Sequence, residues 1–206
     1  MARSGVAAAK LLNDAGAYVR INDLKTAEAL GDSIAPLKAE GIEWRLGEPV
    51  ENCLDGMDMM VISPGIPAEQ PAVALARSKG IEVIGEVELA YRLGRGHVVA
   101  VTGTNGKTTT TTLLGEIFKN AGRISYVVGN IGDPYSAYAS QMKDDDMVVC
   151  ELSSFQLETV DTFRPEISLI LNLTEDHLNR HHTMENYAAV KERVFMNQRG
   201  DDCVVL

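Results

Sequence analysis

The segment His97–Leu114 (HVVAVTGTNGKTTTTTLL) joins an apolar run, a glycine turn and a lysine–threonine pair. This order predicts a buried strand, a phosphate-binding loop and a helix, because glycines let successive backbone amides curl around an anion. Val101 stands where the common G-x-x-x-x-G-K-[ST] spacing has its first glycine, so a turn that caps a helix without a ligand is the alternative. In the favoured interpretation, Lys107 reaches the terminal phosphates and the Thr108 hydroxyl ligates Mg²⁺. The predicted nucleotide-binding residues are Gly103, Thr104, Asn105, Gly106, Lys107, Thr108 and Thr109.

Short β-branched runs alternate with helical stretches along most of the chain, which is typical of an α/β protein with parallel sheets. Gly94-Arg95-Gly96 is the best candidate boundary. It divides a Rossmann-like parallel-sheet domain (residues 1–93) from a P-loop mononucleotide-binding α/β domain (residues 94–206). Strands are predicted at Ala17–Asn22, Ile42–Leu46, Met59–Ser63, Ile81–Ile84, His97–Thr102, Ser125–Val128, Met147–Cys150, Ile167–Asn172 and Cys203–Leu206. Helices are predicted at Met1–Leu12, Thr26–Ala39, Pro71–Lys79 and Glu86–Leu93.

Both ends of the chain suggest truncation. A dinucleotide-type βα unit needs a strand and a first glycine before its helix, and here a helix begins at once. The apolar run Cys203–Leu206 is predicted to be a fully buried strand, in which a natural domain seldom ends. We therefore expect the first strand of the first domain to be missing and the second domain to be incomplete.

The composition excludes several classes of partner. With a net charge of -10 and a pI near 4.9 in 206 residues, broad contact with nucleic acid or an anionic membrane is not expected. Cys53, Cys150 and Cys203 have no metal-ligand spacing, and reduced thiols predict a cytoplasmic protein. The sequence does not determine the oligomeric state, and a monomer is the working expectation.

Two further polar groups follow apolar strands. Glu151 ends the run MVVCE, where a carboxylate can bind Mg²⁺ beside a phosphate loop, although it could instead cap the next segment. His177 follows Ile167–Leu171, and this placement favours a metal or substrate role over packing at the surface. His181 and His182 are predicted to be solvated, and Asp144–Asp146 to form a loop.

Four motifs in the right order resemble the Mur ligase family: GTNGKTT, GNIG, ELSSFQLE and NLTEDHLNRH, with SPGI in the first domain. ELSSFQLE is similar to the D-glutamate-adding branch. The resemblance implies an ATP-dependent amide ligase of peptidoglycan precursor synthesis, which joins D-glutamate to UDP-N-acetylmuramoyl-L-alanine through an acyl phosphate. It also implies that Thr108 and Glu151 hold one Mg²⁺ and that His177 supports a second. The other implied residues are Asn130 at the muramoyl substrate, Asp23, Ser63 and Gly65 at its uridine nucleotide, and Lys191 as a carbamate.

Several features of the chain leave room for alternative interpretations. From the residues alone, Lys191 is an ordinary lysine on a helix surface. Asn179 stands where relatives commonly have Asp, which puts a charge role there in doubt. The family's third domain is absent from the chain, so we expect weak ligand binding and no turnover. The rivals are another Mur or folylpolyglutamate-type ligase, a nucleotide-binding module without ligase chemistry, and a Rossmann dehydrogenase, for which the glycine fingerprint is incomplete.

Overall fold

The structure is a computed structural model that describes residues 3–37 and 41–206. The first part of the chain forms two separate two-stranded parallel sheets. Its elements are α1 (Arg3–Asp14), β1 (Arg20–Asp23), α2 (Ala27–Leu30), β2 (Glu43–Leu46), β3 (Met59–Ile62), α3 (Pro71–Ser78) and β4 (Glu82–Gly85). β1 pairs with β2 and β3 pairs with β4. In a dinucleotide-type sheet the usual strand order is 3-2-1-4-5, so that the first strand lies between two pairs of strands. None of the described residues forms a strand between the β1–β2 pair and the β3–β4 pair.

The predicted helix Thr26–Ala39 is wrong beyond its first turn. Thr26 caps α2, but Gly31 follows with a φ of 54°, and Gly31–Leu37 is a 3-10 helix that contains Pro36. Glycine in this conformation and a proline without an N–H donor both interrupt an α-helix. The end of the predicted helix, at residues 38–40, lies outside the described residues, as do Met1 and Ala2 of the predicted first helix.

The second part of the chain forms one five-stranded parallel sheet. Its strands are β5 (His97–Thr102), β6 (Ser125–Gly129), β7 (Met147–Glu151), β8 (Ile167–Ile170) and β9 (Cys203–Val205), in the order β6-β7-β5-β8-β9. The strand predictions in this part are confirmed within a few residues. The prediction that β9 is fully buried is wrong, because all three of its residues are exposed and it pairs on one side only, with β8.

The helices of the second part are α5 (Lys107–Asn120), α6 (Ser154–Leu157), α7 (Leu178–His181) and α8 (Met184–Glu192). α5 lies close to the sheet, since a Cβ atom on Gly115 would come within 2.3 Å of a Val127 side-chain carbon. Parallel strands bring their carboxyl ends to one edge, and the loops that follow β5, β6, β7 and β8 therefore begin there.

Between the two parts lies α4 (Glu86–Leu93), whose apolar residues join the main core together with β5 and β7. Its two buried acids bind backbone groups of the second part. Glu86 accepts a hydrogen bond from the Ser136 amide at 2.6 Å. Glu88, which has no exposed surface, accepts from the amides of Asp161, Thr162 and Phe163. The division at residue 93 remains a prediction, but α4 is firmly attached to the second part of the chain.

The three cysteines are free thiols, with Cys53 and Cys150 buried and Cys203 exposed. Burial raises the pKa of the Cys150 thiol well above its usual value. No described helix is both long enough and apolar enough to span a membrane.

Candidate functional site

The loop between β5 and α5 has the backbone conformation that its glycines allow. Gly103 has a φ of 140°, and Gly106 has a φ of 84° and stands at the N-cap of α5. A side chain at Gly103 would press against Leu171 and the amide of Asn172 at 3.2–3.3 Å. The first-turn amides of a helix have no partner within the helix, so the N-terminus of α5 offers donors and a positive dipole end to an anion.

Asn172, which follows β8, holds the tip of this loop. Its side-chain oxygen accepts from the Asn105 amide at 2.9 Å, and its side-chain nitrogen donates to the Asn105 carbonyl at 3.0 Å. Its own carbonyl accepts from the Thr104 amide at 3.0 Å. The Thr104 hydroxyl in turn donates to the Thr174 carbonyl and lies 3.2 Å from the hydroxyl of buried Tyr187. The sequence analysis assigns no role to Asn172 or Tyr187. The position of Asn172, directly after a buried strand and at the sheet edge where ligand-binding loops begin, nevertheless indicates a role in the site.

A cavity of about 290 Å³ opens above the loop. Its lining brings together residues from three strand ends: Thr104, Asn105, Gly106, Lys107, Thr108, Thr109, Asn130 and Glu151. The structure therefore collects six of the seven predicted nucleotide-binding residues with the predicted Asn130 and Glu151. Gly103 lies beneath them as the turn residue.

Glu151 is the centre of the cavity's polar contacts and is only 2% exposed. The Thr108 hydroxyl donates to Glu151 Oε2 at 3.0 Å, and the Asn130 side-chain amide donates to Glu151 Oε1 at 2.9 Å. Gly129, the residue before Asn130, has a φ of 108°. Its backbone lies so close to Glu151 that a Cβ atom on Gly129 would come within 2.3 Å of the Glu151 carbonyl oxygen. The Asn130 backbone amide also donates to this carbonyl. Both carboxylate oxygens are thus oriented by neutral donors.

The Lys107 side chain is folded back onto its own loop. Its Nζ donates to the carbonyls of Gly103 and Thr104 at 2.9 and 2.8 Å. In this conformation the ammonium group contacts the loop itself, and Lys107 borders the cavity.

Lys191 is not the surface lysine that the residues alone predicted. It is 1% exposed, and its Nζ donates to the Gly103 carbonyl at 2.8 Å and to the Thr102 hydroxyl at 3.3 Å. Burial, helped by the charge of Lys107, lowers the pKa of Lys191 from 10.5 to about 8. The error arose because α8 turns this side chain inward behind the phosphate loop, which helical periodicity did not reveal.

His177 does not line the cavity. Its ring packs 4.9 Å from that of Phe155, in the segment after Glu151, and its Nε2 lies 3.4 Å from an Asp176 oxygen. Its backbone φ is 52°, in the left-handed region. The metal and substrate roles of His177 stay predictions.

The prediction that His181 is solvated is wrong, whereas His182 is exposed as predicted. His181 is 5% exposed, its Nε2 lies 2.9 Å from the Ser154 hydroxyl, and its ring lies 5.3 Å from that of Tyr187. Burial lowers its pKa. Its burial depends on the contact with Ser154 of α6, which lies 27 residues away in the sequence.

The predicted uridine residues lie at strand ends of the first part. Asp23 is the last residue of β1, and its carboxylate accepts from the Lys25 amide at 2.9 Å. Ser63 and Gly65 belong to the turn after β3, closed by a hydrogen bond from the Ile66 amide to the Ser63 carbonyl at 2.9 Å. A Cβ atom on Gly65 would meet nothing within 4 Å, so a ligand has room to approach this turn.

Within residues 3–37 and 41–206, no three side chains of His, Cys, Asp or Glu are grouped closely enough to hold a metal by themselves. The Thr108 hydroxyl and the Glu151 carboxylate do offer hard oxygen ligands in one cavity. Mg²⁺ is commonly held in this way, by one or two protein oxygens together with substrate phosphates and water. The residues present therefore fit Mg²⁺ as a companion of a bound nucleotide.

Comparisons with known proteins agree with this architecture. The family model of the Mur ligase middle domain matches residues 101–206, and that of the Mur ligase MurD-like, N-terminal domain matches residues 1–85. Solved structures with a similar fold include UDP-N-acetylmuramate:L-alanyl-gamma-D-glutamyl-meso-diaminopimelate ligase from Neisseria meningitides (20% identity, 98% of this chain, 66% of that chain, TM-score 0.59). Another is UDP-N-acetylmuramate-alanine ligase from Thermotoga maritima (21% identity, 93% of this chain, 45% of that chain, TM-score 0.53).

Curated relatives are closer in sequence. The UDP-N-acetylmuramoylalanine--D-glutamate ligase of Alkaliphilus oremlandii is 51% identical over 98% of this chain and 45% of its own length. The enzyme of the same name from Clostridioides difficile is 47% identical over 100% of this chain and 46% of its own length. The chain thus spans a little under half the length of these relatives. With both family models matched in order over most of its residues, the chain belongs to the Mur ligase family.

Proposed function

We propose that this chain is the nucleotide- and UDP-substrate-binding part of an ATP-dependent ligase that adds D-glutamate to UDP-N-acetylmuramoyl-L-alanine. The observation that carries the proposal is the convergence of the phosphate loop, Thr108, Asn130 and Glu151 on one cavity, with Lys191 buried behind the loop. The curated relatives carry the name of this reaction. A soluble cytoplasmic protein with small-molecule substrates, monomeric in solution, is part of the same proposal.

The proposed reaction needs an activated acyl group, because a free carboxylate would have to expel oxide. An oxygen of the substrate carboxylate attacks the γ-phosphorus of ATP, and ADP leaves. The amine of D-glutamate then attacks the acyl carbon, phosphate leaves, and the amine nitrogen loses a proton. The amides at the start of α5 and the Lys107 ammonium would hold the phosphates and stabilise the negative charge that develops on the transferred group.

Mg²⁺, when bound, would supply charge neutralisation at the phosphate oxygens. Thr108 and Glu151 would hold it, and they already lie in hydrogen-bonding contact. Asn130 would keep the Glu151 carboxylate in place through Oε1 and contact the muramoyl substrate on its other side. His177 would support a second ion near the acyl phosphate after a movement of its ring away from Phe155.

Lys191 is proposed to be carbamylated. The ammonium first releases a proton. The neutral amine then attacks carbon dioxide, a C–N bond forms as one C=O π bond opens, and the nitrogen releases a second proton, so that a cation becomes an anion. Burial favours this step because it lowers the pKa of the lysine to about 8 and so raises the fraction of neutral amine near neutral pH. The present contacts of the ammonium with Gly103 and Thr102 show that the site admits a polar group directly beneath the phosphate loop.

The UDP part of the substrate is proposed to bind along the first domain. Asp23 would contact the uridine, since an acidic residue at the end of this strand commonly meets the ribose in nucleotide-binding βαβ units. Ser63 and Gly65 would lie under the diphosphate. The ends of β1 and β3 and the cavity residue Asn130 would then define the path of the substrate.

Calorimetric titration of the chain tests the proposal with two ligands, Mg²⁺ with a non-hydrolysable ATP analogue and UDP-N-acetylmuramoyl-L-alanine. We expect one site for each. Thr108→Val should weaken nucleotide binding by about tenfold to a hundredfold, because one contact to a charged group is worth about 1.5–3 kcal/mol. Thr112→Val is the matched control, because Thr112 is exposed on the same helix and outside the cavity. Binding of nucleotide without any binding of the UDP substrate would instead identify a plain nucleotide-binding module.

A further inference from the structure

Arg180 links the two halves of the proposed substrate path. It lies in α7, and its side chain is 13% exposed. Its Nη1 donates to the Pro64 carbonyl and its Nη2 to the Ile66 carbonyl, each at 3.2 Å. The same guanidinium donates through Nε to Glu158 Oε1 at 2.9 Å and through Nη2 to the other carboxylate oxygen.

The contacts with Pro64 and Ile66 fix the orientation of the turn after β3. In a trans peptide the carbonyl and the next amide point in opposite directions, and no described peptide bond is cis. When the Pro64 carbonyl faces Arg180, the amide of Gly65 therefore faces away from Arg180. Space around Gly65 is open, so this donor is available to an anion that approaches from the far side.

The other contacts of Arg180 belong to the ATP side of the molecule. Glu158 ends the ELSSFQLE motif that begins with Glu151, and the guanidinium carbon lies 4.4 Å from the centre of the Phe155 ring in the same motif. Glu158 balances the charge of Arg180, with both side chains largely buried. Arg180 therefore acts on the turn by geometry and not as a free positive charge for a phosphate.

We propose that Arg180 is a positioning residue, which orients the Gly65 amide toward the diphosphate of the UDP substrate and ties that turn to the motif that carries Glu151. The inference rests on the proposed function, because it assumes that the UDP substrate lies against this turn. It adds to that function a device that sets the distance between the substrate carboxylate and the transferred phosphate. Only a guanidinium reaches both carbonyls and both carboxylate oxygens at once, since a lysine has a single nitrogen.

The test compares Arg180→Lys and Arg180→Met with the 206-residue chain. Arg92→Met is the matched control, because Arg92 also bridges the two parts, through Glu82 and Asp161, contacts buried Glu88 and is 23% exposed. We expect both Arg180 variants to bind UDP-N-acetylmuramoyl-L-alanine about tenfold to a hundredfold more weakly, as the loss of two oriented hydrogen bonds implies. Affinity for the magnesium–nucleotide analogue should stay within about twofold of the unchanged chain, and Arg92→Met should leave both affinities unaltered.

Hydrogen exchange supplies a second readout that needs no ligand. The segment 61–70 should exchange faster in both Arg180 variants, while the segment 103–112 keeps its protection. Unchanged exchange of the turn in both variants overturns the inference, and so does an equal loss of UDP-substrate affinity in Arg92→Met. If the unchanged chain binds nucleotide but no UDP substrate, the proposed function fails, and the exchange of the turn still decides whether Arg180 positions it.

Discussion

Glu88 gives the sharpest prediction about stability. Its Oε2 accepts from the amides of Asp161 and Phe163 at 2.9 and 3.0 Å, and its Oε1 accepts from Thr162 and from Arg92 Nε at 2.7 Å. In Glu88→Gln one oxygen becomes an NH₂ group that faces donors. If the remaining oxygen keeps the contacts of Oε1, the partly buried amide of Asp161 and the buried amide of Phe163 lose their acceptor. At about 1–3 kcal/mol for each, we expect a loss of about 2–6 kcal/mol in the free energy of unfolding.

Urea unfolding at neutral pH, followed by circular dichroism and extrapolated linearly to water, measures this loss. Glu82→Gln is the matched control, because Glu82 contacts the same arginine but is 45% exposed. An exposed ion pair of this kind is worth less than about 1 kcal/mol. A Glu88→Gln protein within about 1 kcal/mol of the unchanged chain, or no less stable than Glu82→Gln, would refute the view that this carboxylate holds the two parts together.

The pH dependence provides an independent check on Glu88. Burial by itself would raise the pKa of this carboxyl, but hydrogen bonds from the backbone and side chains of Asp161, Thr162 and Arg92 outweigh burial and lower the pKa below the usual 4.5. Its stabilising contribution is therefore complete above pH 4.5 and is lost as the pH falls through the lowered pKa. The stability difference between the unchanged chain and Glu88→Gln should shrink in that acidic window.

Three further predictions concern the site. Asn172→Leu should weaken binding of the magnesium–nucleotide analogue by about tenfold in calorimetry, because two hydrogen bonds to the loop backbone disappear; an unchanged affinity would show that the loop holds its shape without Asn172. Gly129→Ala should destabilise the chain by about 2–4 kcal/mol in urea unfolding, through strain at positive φ and overlap with the Glu151 carbonyl; Gly122→Ala, with φ of 76° and open space, should cost less. With ¹³C-labelled bicarbonate, a carbamate resonance should appear and should grow as the pH rises toward the lowered pKa of Lys191, about 8; if the resonance persists in Lys191→Met, the carbamate is on another amine.

The fold of the second part could be predicted well because its signals are local. Glycine spacing around Lys107 and the apolar runs at β5, β7 and β8 specify a strand–loop–helix unit and a buried parallel sheet from neighbouring residues alone. Glu151 followed from the same logic, since a residue at the carboxyl end of a central strand must lie beside the loops of its neighbours. These features need no knowledge of distant contacts.

The features that were missed depend on contacts between distant segments. Lys191 and His181 are buried because α8 and α7 pack beneath the phosphate loop and α6, and lysine or histidine in a short polar helix carries no local sign of this. β9 is exposed because it pairs with a neighbouring strand on one side only. The apolar residues of β9 do not reveal how many neighbours the strand has. The helix predicted at Thr26–Ala39 is interrupted by Gly31 and Pro36, and both of these helix breakers are visible in the sequence.

The lysine of the phosphate loop shows how this site would admit a ligand. Lys107 is held by two carbonyls of the loop it belongs to, and Asn172 keeps the tip of that loop in shape. An incoming nucleotide would need to turn one flexible side chain outward and leave the main chain where it is. Most of the conformational entropy that the loop must lose in order to bind phosphate is thus already lost when the chain folds. We therefore expect nucleotide binding to proceed without a slow rearrangement of the backbone.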